Sequence, residues 1–128
     1  MKFNSLIPEL SVSNINKSLT FYTNIGFKIV YQREEDKFYF LQLEDNQIMI
    51  QEINNNWNTG ELSYPFGRGI NISMTIIDID KYYSIIKEIN IELFEPLKIN
   101  KYKANDIIYE DKEFLIQDPD GYLLRFNN

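Results

Sequence analysis

Apolar residues along this chain recur with period two in short runs and with helical spacing in two longer ones. Leu10 and Val12 alternate with Glu9 and Ser11, which predicts a strand ending at Val12. A helix then runs to about Asn24, because Ser13 or Asn14 can accept its first free N–H groups and Gly26 can adopt the left-handed backbone that ends it. Phe27 opens a second strand, and the alternating runs Phe38 to Glu44 and Gln47 to Ile53 follow, with Asp45-Asn46 as their turn. The first half therefore reads β-α-β-β-β. In the second half Ile70 to Ile77 reads as a strand, Asp80 to Asn90 as a helix and Leu93 to Asn100 as a strand. Phe114 to Gln117 and Tyr122 to Phe126 then flank an Asp118-Pro119-Asp120-Gly121 turn.

The halves share more than element order. Val12, Ile15, Lys17, Leu19, Phe21, Tyr22, Ile25 and Phe27 correspond, at a constant offset of 64, to Ile76, Ile79, Lys81, Tyr83, Ile85, Ile86, Ile89 and Ile91. Asn14 falls on Asp78 and Asn16 on Asp80. Two amphipathic helices can match by chance, but here strand, cap, helix and next strand keep one register, which indicates a duplication. The expected organisation is a single domain, 1–128, with module one at about 1–53, a loop at 54–68 and module two at about 69–128. The loop holds Trp57, Gly60, Tyr64, Pro65, Phe66 and Gly67, and loops of this length in compact domains are often functional.

Strand alternation separates two sheet faces. Leu10 and Val12, then Ile70, Ile72, Met74 and Ile76, then Tyr39, Leu41 and Leu43, then Ile48 and Ile50, then Tyr122, Leu124 and Phe126 are expected beneath the helices. The opposite face carries Glu9, Ser11, Phe38, Phe40, Gln42, Met49, Gln51, Asn71, Ser73, Thr75, Leu123 and Arg125. Aromatic rings, a methionine and isolated polar groups suit the lining of a small-molecule site, while an ordinary solvated sheet face remains the bland alternative.

Composition narrows the chemistry. Thirteen basic and nineteen acidic residues give a net charge of −6, which disfavours nucleic acid and anionic membranes and favours a cationic small molecule. No run of about eighteen apolar residues occurs and the first residues are too short an apolar stretch for a signal peptide, so a cytoplasmic protein without membrane contact is expected. The chain has no cysteine and no histidine. It therefore lacks a thiol nucleophile, the commonest transition-metal ligand and the usual proton shuttle at neutral pH.

The stretches "LIPELSVSNINKSLTFYTNIGF" at Leu6 to Phe27, "GRGINISMTIID" at Gly67 to Asp78 and "FLIQDPDGYLLRF" at Phe114 to Phe126 resemble the vicinal oxygen chelate superfamily. That group contains glyoxalase I, fosfomycin resistance proteins, extradiol dioxygenases and bleomycin resistance proteins. The resemblance implies an α+β fold of two tandem β-α-β-β-β modules forming a curled mixed sheet around a cleft, in a homodimer. It also implies four metal-ligand positions, which here are Ile7, Gln51, Asn71 and Arg125. An alkyl group, two neutral amides and a fixed cation are no chelating set, and Glu52, next to Gln51, is turned by strand alternation to the other face. No metal and no cofactor is expected.

Among superfamily members the chain most resembles the bleomycin resistance type, which binds a drug without altering it. On that reading Phe38, Phe40, Trp57, Tyr64 and Phe66 offer flat surfaces to a planar ligand, and Glu9, Glu52 and Glu61 attract its positive charge. Gln42, Gln51, Asn71, Ser73 and Arg125 orient it by hydrogen bonds, with Met49 among the lining residues and Glu9 as the expected partner of Arg125. No catalytic residue is assigned. Two alternatives stand beside this reading. One is an enzyme of the lyase or isomerase kind with Glu9 or Glu52 as base and Arg125 steadying an oxyanion; the other is a metabolite-binding or regulatory module.

Overall fold

The computed structural model describes residues 2–128. Its elements follow the order β1 (Glu9–Val12), α1 (Ile15–Asn24), β2 (Lys28–Arg33), β3 (Phe38–Leu43), β4 (Asn46–Glu52), β5 (Asn71–Thr75), α2 (Ile79–Glu88), β6 (Leu93–Ala104), β7 (Ile107–Gln117) and β8 (Leu123–Asn127). A 3-10 turn at Glu34–Asp36 lies between β2 and β3. This is the β-α-β-β-β order twice. The strands form two four-stranded mixed sheets, β1-β4-β3-β2 and β5-β8-β7-β6, and β1 with β4 and β5 with β8 are the parallel pairs.

The chain divides into two compact units. Residues through Phe66 together with Asp118–Gly121 make the first, and Gly67–Gln117 with Tyr122–Asn128 make the second. The boundary between modules thus falls near the end of the 54–68 loop, and the turn between β7 and β8 belongs to the first unit.

The duplication is written in the backbone hydrogen bonds. Asn14 Oδ1 accepts from Lys17 N, and Asp78 Oδ1 from Lys81 N. At the other ends of the helices Ile25 N donates to Phe21 O and Phe27 N to Tyr22 O, while Ile89 N donates to Ile85 O and Ile91 N to Ile86 O. Each pair is separated by the offset seen in the sequence. Gly26 has φ 110 and its counterpart Asn90 has φ 60, so each helix ends on a residue that tolerates left-handed backbone.

In the first unit α1 packs on β4, burying Ile15, Tyr22 and Ile25 with Leu10, Val12, Leu41, Ile48 and Ile50. In the second, α2 packs on β7, and Ile79, Tyr82 and Ile86 join Met74, Ile76, Phe114, Ile116, Leu124 and Phe126. Tyr82 meets Phe126 edge-on at 5.0 Å between centroids. The aliphatic face expected from alternation is therefore the helix-covered one, except that Ile70 precedes β5 and is 64% exposed.

Two buried carboxylates anchor the first unit. Tyr22 Oη donates to Asp118 Oδ2 at 2.7 Å, and Asp120 N donates to Asp118 Oδ1 at 2.9 Å. Asp120 in turn accepts from Ser13 N at 3.0 Å and from the Ser13 hydroxyl, immediately ahead of the α1 cap. Gly121 closes this turn at φ 93, where a Cβ would lie 2.5 Å from Pro65 Cβ. The turn is thus bound to the first unit from both sides.

Three details differ from the sequence reading. The β3–β4 turn is Glu44-Asp45, one residue earlier than expected, because Glu44 takes the left-handed backbone at φ 52 and Asn46 already pairs with Leu43. The β6–β7 hairpin is much longer than Leu93 to Asn100 and Phe114 to Gln117, reaching Ala104 and Ile107 on an exposed ribbon. Asn105 and Asp106, at φ 51 and 65, form its primed turn, and stacked Tyr102 and Tyr109 plus a Lys101–Glu110 ion pair join its strands. Finally, Val30 is a bulge in β2, so that Ile29 pairs with Leu41 but Tyr31 with Phe40.

Replacing Tyr22 with Phe removes the donor to a buried Asp118 while keeping the ring. The expected loss is about 1–3 kcal/mol, read as a lower urea midpoint at unchanged slope. An unshifted midpoint would show that this bond contributes nothing to stability.

Candidate functional site

In the first unit, strand register gathers the expected polar and aromatic positions on one face. Phe38 pairs with Gln51, Phe40 with Met49, Glu9 with Met49 and Ser11 with Gln51, all opposite the core residues Leu10, Leu41, Ile48 and Ile50. Phe38 and Phe40 are nevertheless only 2% exposed. Tyr31 stacks on Phe40 with centroids 5.2 Å apart and rings 18° from parallel, and Phe3 meets the same ring edge-on at 5.3 Å. The Arg33 guanidinium lies 3.9 Å above the Phe38 ring. The rings presented outward are therefore Tyr31 and Phe3, at 39% and 53% exposure, with Phe38 and Phe40 as their support.

Tyr31 and Arg33 are absent from the sequence-based set for a definite reason. Strict alternation from the buried Phe27 would send Tyr31 beneath the helix, and only the bulge at Val30 turns it outward. Phe3 precedes every strand, so no periodicity points to it.

The amides on this face are partly committed. Gln47, 5% exposed, donates to Gln42 Oε1 and to Lys2 O and accepts from Asn4 N, which ties down the segment ahead of β1. Gln42 also donates to Glu44 O at 2.7 Å, so its amide braces the hairpin end. Gln51 donates to Asp36 O at a longer 3.3 Å. Glu9 is exposed and forms no ion pair among the described residues.

The 54–68 loop splits its aromatics. Trp57 is 74% exposed and Tyr64 62%, whereas Phe66 is 8% exposed with its N–H donating to Asp120 O at 2.8 Å. Phe66 is a core residue. Glu61 is exposed.

Glu52 lies on the helix side of the first sheet, as its alternation with Gln51 requires. Its carboxylate accepts from Lys37 Nζ at 2.8 Å and from Ile15 N at 3.1 Å, at the start of α1. The Lys37 hydrogen bond first, and the Ile15 N–H second, hold its pKa below the ordinary glutamate value. A surface depression of about 290 Å³ beside this pair is lined by Glu35, Asp36, Lys37, Glu52, Ile53 and Asn54 and shares no residue with the aromatic face.

In the second unit the corresponding face carries Asn71, Ser73 and Thr75 from β5 beside Leu123, Arg125 and Asn127 from β8. Asn127 Nδ2 donates to Ser73 Oγ at 2.8 Å, and its Oδ1 accepts from Thr75 Oγ1 at 3.1 Å. Arg125 lies between Ser73 and Leu115 in register and is half-buried. Its Nε is buried and has no hydrogen-bond partner among the described residues, and no carboxylate of the second unit pairs with it. The Glu9–Arg125 pair expected from the sequence joins residues of different units.

The positions implied as metal ligands do not fit a divalent cation. The Ile7 side chain has no donor atom, Gln51 and Asn71 are neutral amides and Arg125 is a cation. Among the described residues no three Asp or Glu side chains cluster as a metal site either.

A family model described as "Glyoxalase/Bleomycin resistance protein/Dioxygenase superfamily" matches residues 3–126, and the chain belongs to that superfamily. Among solved structures, a glyoxalase/bleomycin resistance protein/dioxygenase from Alicyclobacillus acidocaldarius is 21% identical with TM-score 0.69, over 97% of this chain and 89% of that one. TioX from Micromonospora sp. ML1 is 12% identical with TM-score 0.75, over 98% of each chain. A bleomycin resistance determinant encoded on the transposon Tn5 is 18% identical with TM-score 0.68, again over 98% of each. These similarities show the tandem fold. Comparison with curated proteins finds no match. No helix among the described residues is long and apolar enough to cross a membrane.

Because Glu52 titrates below its ordinary value when folded, its contribution is complete above the unfolded carboxylate range and is lost as pH falls through the folded value. Glu52→Gln should lower the unfolding midpoint at pH 7, and the gap from the parent protein should close progressively in acid. A gap that persists unchanged at low pH would show that the charged hydrogen bonds to Lys37 and Ile15 are not its source.

Proposed function

We propose that this superfamily member is a metal-independent small-molecule binding protein that sequesters a planar, cationic ligand; a protein named as a bleomycin resistance determinant shares its fold. The observation that carries the reading is the layered aromatic face, on which Tyr31 and Phe3 cover Phe40 and leave ring surface exposed beside Met49. Flat, polarizable groups of this kind bind planar rings by stacking and attract positive charge. Trp57 adds a large unburied ring on the loop, and Glu9 with the net charge of −6 favours a cation.

Lack of a chelating donor set supports a binding role over the metal-assisted chemistry of enzymes with this fold. The carboxylate-enzyme alternative loses Glu52 as a base, since its charged form is stabilised on the other side of the sheet. A homodimeric, cytoplasmic protein that engages neither nucleic acid nor membrane remains part of the proposal.

Titration of Trp57 fluorescence with bleomycin and a panel of planar metabolites should show saturable quenching. Tyr31→Ala and Trp57→Ala should each weaken binding about tenfold, the scale of one lost stacking contact. Elemental analysis after incubation with zinc, nickel, manganese and iron should find no stoichiometric metal. Parent-level affinity in both variants, measured by calorimetry because Trp57→Ala removes the one tryptophan, or one bound metal per chain, would overturn the reading.

A further inference from the structure

β2 is the edge strand of the first sheet, and its bulge turns Tyr31 and Arg33 to the outward side together, where each covers one ring of β3. Tyr31 lies over Phe40, and the Arg33 guanidinium lies over Phe38 with its central carbon 3.9 Å from the ring centroid. A second contact holds the same group. Arg33 Nε is 3.4 Å from Asp36 Oδ2, on the 3-10 turn that follows the strand. Gln51 steadies that turn, its Nε2 donating to Asp36 O at 3.3 Å. A ring below and a carboxylate beside make a place for a flat, delocalised cation, and a side chain of the protein fills it. The guanidinium is weakly held there, because the Arg33 and Asp36 side chains are 47% and 53% exposed and an ion pair so open to water contributes little. Glu34 and Glu35, next along the chain, are exposed as well, so an Arg33 that turns outward stays among carboxylates.

We propose that the Phe38 ring and the Asp36 carboxylate form the cation subsite of the ligand face, and that Arg33 occupies it until the ligand's own cationic group displaces it. The group received is an amidinium, a guanidinium or a protonated heteroaromatic ring, planar enough to lie flat on Phe38 and able to donate an N–H to Asp36. A compact ammonium gains less, since it is more strongly hydrated and has no flat face. Tyr31 borders the subsite, its centroid 5.8 Å from that of Phe38 and the rings 34° apart, so the aromatic part of the ligand stays against the outer ring. Displacement also selects. A neutral planar molecule stacks on Tyr31 but offers Phe38 and Asp36 nothing that replaces Arg33. The subsite rests on the reading of this face as ligand-binding and narrows the ligand's positive charge to a delocalised one.

Benzamidine, its neutral isostere benzamide and benzylamine, which carries a compact ammonium, separate ring, charge and shape. In ¹⁵N-labelled protein, benzamidine should move the Arg33 Nε–H resonance as the guanidinium leaves the ring, and benzamide should not. Arg33→Ala empties the subsite and should bind benzamidine about three- to fivefold more tightly, the worth of one exposed cation–π contact, with benzamide unchanged. Adding Asp36→Asn to that variant should remove the gain. Lys17→Met deletes the same charge from exposed α1 surface, on the helix side of the sheet, and should bring no gain. Benzylamine should bind more weakly than benzamidine to the parent protein and to Arg33→Ala. Benzamidine affinity in Arg33→Ala at or below the parent's, an equal gain from Lys17→Met, an Arg33 signal unmoved at saturating benzamidine, or benzylamine binding as tightly as benzamidine would each overturn the subsite and leave ring binding standing. If neither benzamidine nor benzamide binds the parent protein or Arg33→Ala, both this proposal and the small-molecule reading fall.

Discussion

Two carboxylates without solvent hold the first unit together. Asp118 and Asp120 come from a turn almost at the far end of the chain, yet they fix Tyr22 in the middle of α1 and Ser13 at its start. A buried carboxylate is tolerated only when its oxygens are supplied with donors, and here a phenol, a hydroxyl and two backbone N–H groups supply them. The placement of α1, and through α1 the stacking of β4 beneath it, follows from that requirement. Because β4 carries Met49 and Gln51 on its other side, the candidate ligand face is set by an electrostatic condition on the opposite surface of the same sheet.

Duplication explains the scaffold and divergence explains the chemistry. The two helices repeat their caps and exit bonds at the same offset, down to a left-handed residue that is Gly26 in one copy and Asn90 in the other. The outward faces share no such identity. The first is aromatic and layered, with Tyr31 over Phe40, while the second is polar, with Asn127 tying Ser73 to Thr75 beside Arg125. The core positions are constrained by packing against a helix, and the outward ones only by what they meet. One scaffold therefore supports two chemically different outward faces.

The fold was legible because its signals are local and redundant. Alternation in β1, β3, β4, β5 and β8, the caps Asn14 and Asp78 and the Gly26 exit each point to the same element boundaries. What escaped depends on pairing, which periodicity does not encode. No buried stripe marks the outer part of the β6–β7 ribbon, whose strands are held by cross-strand partners such as Tyr102 and Tyr109, although Asn105-Asp106 offers a turn signal. Phe38 and Phe40 were placed on the correct face, but their burial under Tyr31 and Phe3 depends on a bulge and on a segment without regular structure. The special position of Arg125 was visible as a residue type, and the lack of a partner at its buried Nε only in the folded chain.

The bulge at Val30 gives the aromatic face an unusual evolutionary handle. Below it Ile29 pairs with Leu41, and above it Tyr31 pairs with Phe40 on the opposite face, so the identity of the outermost ring is decided by chain length through a single position. Losing one residue there would exchange Tyr31 for a neighbour without altering any side chain of β3, β4 or the helix. Insertions and deletions in this edge strand thus change which ring the sheet presents and leave the packed core beneath it untouched.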